Sequence, residues 1–454
     1  MDGDLKELSI QKSDMQIGAP SPEPATFTLS HFSLNPNKTK NGRSWMFWLD
    51  SLAIPRINTV MHNGSPDHTS FLNATAFRIG GMELSSENTS SLLSMTGNNP
   101  ALFLAANHIN YRNPNQTIDF TTVNFHQINK RLTAESFNIR PLMGRDSFTR
   151  SLTYQQQYLK AGSGRIIMDG LDLEKYLRDD IIQAEKVDIK DPVLDIFKDR
   201  TLPVKSGTIK QLPTVQIKNI KQAIRFDTVR LHQGSIRYEE INDLTGKPGR
   251  VDFSRTEARL TNFRTMDFSD NDSLDLTMRS AMLDTAEIRL RFRESYTDSL
   301  NGFLMSLQIG RFSLSALNSV LEPIASARIR SGYLDTLTMK AVGREYTAWG
   351  RMQMYYSDLK VQFLNKEDYE KKTAFTRLVN FAANAIVRKG NRKKTGTVYT
   401  ERNRAKGFVN YWMRIALSGM LTNAGIRGTN KQERKYHKEI RKRQLPEIPD
   451  FELD

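Results

Sequence analysis

The residues best equipped for chemistry are dispersed along this 454-residue chain. Its histidines are His31, His62, His68, His108, His126, His232 and His437, and no two stand at the close spacings that commonly build a metal site. Cysteine is absent, which excludes disulfide frameworks, thiolate zinc sites and cysteine nucleophiles. The acidic neighbours Asp179–Asp180 and Glu239–Glu240 are adjacent, so on strands they point to opposite faces. No G-x-S-x-G elbow, P-loop or complete G-x-G-x-x-G occurs, and "AGSGR" (161–165) is a turn signal. The expectation is no catalytic centre, no metal and no cofactor.

What the sequence does offer is apolar surface in regular rows. In "LDTAEIRLRFRES" (283–295), Ala286, Ile288, Leu290 and Phe292 alternate with Glu287, Arg289, Arg291 and Arg293. Such a segment is a β-strand with one apolar and one wet face. Two occupants suit the apolar face: the protein's own core, or a ligand made of hydrocarbon.

The same alternation recurs over a long stretch. Val229 and Leu231 precede a turn at Gln233–Gly234, then come Ile236 and Tyr238, Val251 and Phe253, and Ala258 and Leu260. Leu274, Leu276 and Met278 follow, then Ile288, Leu290 and Phe292, and then Met305, Leu307 and Ile309. "SLSALNSVLEP" reads as a short helix ended by Pro323. Beyond it, Leu337 and Met339 share a face, as do Met352, Met354, Leu359, Val361 and Phe363. Gly, Asn and Asp punctuate the series as hairpins require. The pattern predicts a repeating antiparallel meander.

Upstream, residues 27–34, 117–125 and 132–142 are strand candidates between Asn/Gly/Pro/Ser-rich loops, whereas "SWMFWLDSL" (44–52) predicts a short amphipathic helix. "KVDIKDPVLDIFKDRTLP" predicts two strands joined at Asp191–Pro192. Downstream, "TAFTRLVNFAANAIV" and "FVNYWMRIALSGMLTNAGI" have helical periodicity. The second carries a polar stripe of Asn410, Arg414, Ser418 and Thr422 opposite an apolar face of Phe408, Trp412, Ile415, Ala416 and Met420.

Length alone suggests about three domains at ~150 residues each, and the hydrophobic fraction of 38% is low enough to fit an elongated body with a large surface. Residues 1–186 form an N-terminal β-rich portion, 187–372 the repeating sheet, and 373–454 a basic helical segment. The net charge of +15 favours anionic partners. It is concentrated between Arg388 and Arg443, where only Glu401, Glu433 and Glu439 oppose the cations. Lys393, Lys394, Arg402, Arg404 and Lys406 precede the second helix. With Phe408, Trp412, Ile415 and Met420 at the acyl boundary, they predict docking on an anionic membrane surface. Nucleic acid is not favoured, since no aromatic-basic strand motif or helix-turn-helix accompanies the charge.

"VDIKDPVLDIFKDRTLPV" and "DTVRLHQGSIRYEE…GRVDFSRTEARLTNF" resemble the repeats of AsmA-like envelope proteins. "LSALNSVLEPIASARIRSGYLDTLTMKAVG…GRMQMYYSDLKVQFL" is similar to their C-terminal region, where a helix with a terminal Pro precedes an I-x-S-G-x-L-D strand. "FVNYWMRIALSGMLTNAGI" looks like the C-terminal helix of Bacteroidota-type members. The resemblance covers roughly residues 187–427. It implies a mainly β protein: an elongated, curled antiparallel groove of the bridge-like lipid-transfer type, with short helices and a C-terminal helical segment. It further implies a periplasmic, inner-membrane-associated protein that binds or conducts phospholipid in support of outer-membrane biogenesis. The alternating residues from Val229 to Phe363 named above would line that groove. A second reading is a non-transporting envelope scaffold that acts through contacts with outer-membrane assembly proteins. The family's N-terminal transmembrane anchor has no counterpart here: no stretch reaches ~18–20 apolar residues, and "MDGDLKELSI" lacks the features of a signal peptide. The expectation is that the anchor lies outside this sequence or that the protein is held in the envelope by other means.

Overall fold

The computed structural model describes residues 2–3, 8–10, 25–35, 44–62, 69–85, 99–243, 245–270, 272–325, 327–363, 395–423, 434, 437–438 and 441–442. The chain is mainly β and divides into two compact units. The first comprises residues 1–144, 159–193 and 222–230, and the second residues 145–158, 194–221 and 231–454. The expected boundary at 186/187 therefore falls inside a strand, Ile181–Lys190.

In the first unit, β1 (Asp2–Gly3) and β2 (Leu8–Ile10) pair with β3 (Ala25–Asn35), which pairs with β4 (Ser44–His62). β4 also holds β5 (Thr69–Gly80) and the short β6 (Met82–Ser85). The series continues through β7 (Phe103–Arg112) to β8 (Gln116–His126). β8 pairs with both β9 (Arg131–Ala134) and β10 (Ser136–Pro141). β10 leads to β11 (Gln157–Ser163), and β9 to β12 (Ile166–Asp169) and β13 (Ile181–Lys190). All these pairings are antiparallel. The helix expected at 44–52 is instead the first half of β4: pairing along both of its edges overrides the local 3.6 period. The strand expected at 132–142 is split at Glu135.

The strands expected on either side of Asp191–Pro192 are present as β13 and β14 (Val193–Asp199). β15 (Ala223–Ile241) contributes its start to the first unit and its end to the second. The second unit then runs as a meander. β16 (Pro248–Arg264) pairs with β17 (Ser273–Met282), which pairs with β18 (Ala286–Ser295), followed by β19 (Phe303–Ile309). β19 and the two-residue β20 (Phe312–Ser313) both pair with β21 (Ala327–Gly343), and β22 (Thr347–Phe363) and β23 (Thr395–Glu401) complete the order. The helices that matter below are α1 (Leu173–Asp179) in the first unit, and α2 (Pro213–Lys218), α3 (Asn318–Ala325) and α4 (Phe408–Asn423) in the second. Pro323 lies inside α3, two residues before its end.

Long strands change phase at bulges. β15 runs unbroken through the expected turn: Gln233 takes a left-handed φ of 56°, and the apolar positions shift from odd (Val229, Leu231) to even (Ile236, Tyr238). Arg255 (φ 49°) does the same in β16, where pairing skips between Ser254 and Glu257. Asp358 (φ 52°) follows suit in β22. A bulge adds one residue, bends the strand and keeps each apolar set on its own side. In the first unit Ala76 (φ 50°) and Thr122 (φ 48°) mark the same change.

Candidate functional site

The candidate surface is the apolar face of the β-sheet in each unit, and the two differ in what covers them. Strand register defines the rows. In the second unit Leu276, Phe292, Met305, Ala341, Gly350 and Val398 stand opposite one another across successive strands. A neighbouring row holds Met278, Leu290, Leu307, Met339 and Met352, and a third Ile288, Ile309, Leu337 and Met354. The sequence-predicted residues from β17 to β22 are thus brought together.

They form a closed core. Phe292, Leu337, Met339 and Met352 are 1% exposed or less, and Ile288, Leu290, Met305, Ile309 and Leu274 are also buried. Phe253, Leu276, Met278, Leu307, Met354 and Leu359 pack half-buried against that core. The lid is α4: Trp412 packs on Phe292 in a tilted pair with ring centroids 4.6 Å apart, and Tyr411 meets Phe303 edge-on at 5.7 Å. Leu314, Ala316 and Leu317, preceding α3, cover more of it. Gly419 permits the close approach, since a Cβ there would meet Met352 Sδ at 2.9 Å. Ile288, Leu290 and Phe292, expected to line a hydrocarbon groove, lie in this buried cluster, and Trp412 of α4 packs on Phe292.

The residues of α4 expected at a membrane face the sheet. Ile415 is fully buried, and Phe408, Trp412 and Met420 pack on the sheet. The polar stripe points to β23: the Ser418 hydroxyl accepts from Tyr399 N (3.2 Å), and the Thr422 hydroxyl donates to the Thr397 carbonyl (2.6 Å). A helix that satisfies a strand edge in this way turns its hydroxyls inward. Val409 and Met413 are its exposed apolar residues. The cations are inward too. Arg402 has a fully buried side chain and pairs with Glu345 (3.0 Å), which also takes Arg404 (3.0 Å). Burial holds Lys406 below the usual lysine range, with Arg200 nearby adding to the effect. Lys393 and Lys394, the helix expected at 373–387, and the side chains of Val361 and Phe363 lie outside the described residues.

Glu294 continues the even-numbered apolar positions of β18 and is fully buried. Its Oε2 accepts from the Thr214 backbone N–H of α2 (3.0 Å), while Oε1 has no hydrogen-bond partner among the described residues. Burial pushes its carboxyl up to about 7, against the opposing pull of that hydrogen bond, Lys218 and Arg402. Sequence reading passed over this residue although the signal was there: an acid in an apolar register.

The first unit carries comparable rows that are half-buried except at Ala74, which is buried. Thr59, Leu72, Tyr111, Ile118, Ile139 and Ala161 are mutually opposite across six strands. Beside them lie Ile57, Ala74, Ile109, Phe120 and Phe137. α1 covers the other end of the sheet, where Leu173 packs on the cluster of Leu49, Met82 and Leu102 with Leu52 and Ile79. A second cluster of Ala134, Ile166, Ala184 and Val187 gathers Phe120, Val123, Phe137 and, from the predicted lining, Val229. Leu72, Tyr111, Ile118 and Ile139 are half-buried and belong to neither cluster, and the Tyr111 hydroxyl donates to the Ser70 hydroxyl (3.2 Å). The remaining predicted residues, Leu231, Ile236, Tyr238, Val251, Ala258 and Leu260, are half-buried. Tyr238 donates to Glu240 (2.6 Å), and burial raises its phenol well above the ordinary value.

Among the described residues no three His, Asp or Glu side chains cluster as a metal site. Nor is any helix among them long and apolar enough to cross a membrane, a statement that does not extend to strands. No family model and no curated protein matches the chain.

Proposed function

We propose that this protein binds phospholipid by its acyl chains on the half-buried apolar face of the first unit's sheet. The observation that supports this is the apolar row running through Leu72, Tyr111, Ile118 and Ile139, half-buried while the equivalent rows of the second unit belong to one buried core. Apolar area left in water costs ~25 cal/mol per Å², and acyl chains laid across the strands remove that cost while headgroups stay wet. The resemblance to AsmA-like proteins adds the setting: a periplasmic, inner-membrane-associated protein that carries phospholipid between membranes in support of outer-membrane biogenesis.

The test is phospholipid phosphorus per protein after mild purification, together with titration of a fluorescent phosphatidylethanolamine. The variant Leu72→Asp/Ile139→Asp places two charges on the open face without touching the core under α4. Expected is loss of most bound lipid with an unchanged circular dichroism spectrum. Equal lipid content in variant and parent overturns the assignment.

A further inference from the structure

The face of the second unit opposite α4 carries a charge pattern that sheet stability does not explain. Register places Arg259, Thr277, Arg291, Ser306, Lys340 and Arg351 opposite one another on consecutive strands, cations interleaved with hydroxyls. In the next row Arg279 stands directly opposite Arg289. Lys340–Arg351 and Arg279–Arg289 are like-charge cross-strand pairs, an arrangement that destabilises a sheet. The cations of these two rows outnumber the acids beside them. Asp275 pairs with Arg293 at 2.7 Å and reaches Arg291 at 3.8 Å, Glu287 pairs with Arg289 at 2.8 Å, and Glu257 stands opposite Arg279 and lies 3.3 Å from His232. Arg259 and Arg279 are exposed and make no ion pair among the described residues.

We propose that this face docks on an anionic phospholipid membrane. Guanidinium groups and hydroxyls are the donors that suit phosphate oxygens. With strands ~4.8 Å apart, two rows across six strands make a two-dimensional array, which matches a plane of headgroups. Single-stranded nucleic acid would require aromatic platforms for its bases, and these two rows contain none. A further observation supports the assignment. His437 meets Trp349 edge-on at 5.6 Å on this same face, and Arg434 and Lys438, near that histidine in sequence, are exposed. The inference depends on charge and register in the second unit and stands apart from acyl binding by the first.

The experiment is flotation of the full chain with vesicles of phosphatidylcholine alone, and of phosphatidylcholine containing a third phosphatidylglycerol. The parent is compared with Arg259→Gln/Arg279→Gln/Lys340→Gln/Arg351→Gln, whose changes all lie at exposed positions. Expected is binding to the anionic vesicles that weakens as salt rises, and a loss of about tenfold or more in the variant. Val409→Gln/Met413→Gln, on the exposed side of α4, should bind as the parent does. Retention of binding by the quadruple variant overturns the proposal. So does complete competition by a duplex oligonucleotide at equal charge, which would assign the face to nucleic acid. Lipid content of the same preparations is read in parallel, so a failed docking surface is told apart from a failed acyl site.

Discussion

Glu294 is the residue whose ionisation should be visible in the whole protein's stability. Its carboxyl titrates near 7 when folded and near 4.5 when not, so between those values the native state holds the extra proton. Its contribution to stability is therefore complete below about pH 4.5 and falls as pH rises to about 7, by about 3 kcal/mol. Urea melts at pH 5 and pH 8 should show that fall in the parent. Glu294→Gln, neutral throughout and still able to accept from Thr214 N, should flatten the profile and be the more stable form at pH 8. Identical pH dependence in both proteins would mean the carboxylate is solvated. Glu345 is the converse case, holding Arg402 and Arg404 at once. Glu345→Gln leaves a fully buried guanidinium uncompensated, and equilibrium unfolding should show a cost of about 3 kcal/mol or more.

At the scale of elements, α4 decides whether the second unit's apolar face is a site or a core. Ile415 is fully buried and Met413 is 57% exposed on the same helix. Ile415→Ala should cost about 3 kcal/mol, while Met413→Ala should stay within about 0.5 kcal/mol, both read by chemical denaturation. Alternation in the sequence named the right residues here but not their neighbour. Ile288, Leu290 and Phe292 face one way in either reading, and what they face is set by a helix more than a hundred residues downstream. The polar stripe of α4 misled for a related reason. Ser418 and Thr422 read as part of a polar stripe, and their hydroxyls bond the edge of β23, a partner that periodicity does not distinguish from water. The phase changes at Gln233 and Arg255 were legible as breaks in parity. A break fits a turn or a bulge, and only the unbroken strands β15 and β16 choose between them.

At the scale of the molecule, the described residues of the two units differ in how much apolar surface they bury. The second gathers β17 to β23, α4 and the residues before α3 into one buried cluster. The first has two small clusters and leaves the Leu72–Ile139 row half-buried. That asymmetry was hidden in the sequence, because Asn58, Asn73, Asn110 and Asn138 line up on the opposite face and lower the apparent hydrophobicity of strands that are apolar on the other. It predicts unequal responses to ligand. A ligand that binds only the folded first unit stabilises it by RT ln(1 + [L]/Kd), about 2.7 kcal/mol at a hundredfold excess over Kd. Amides of β5, β7, β8 and β10 that exchange through opening of that unit should then slow by about a hundredfold. The probe is a monomeric short-chain phosphatidylcholine, whose zwitterionic headgroup gives the cationic face of the second unit no net charge to attract. Amides of β18, β19 and β21, already under α4, should be unchanged. Slowing in β18 to β21 with none in β5 to β10 would place the hydrocarbon under α4 and reverse the assignment of open and closed faces.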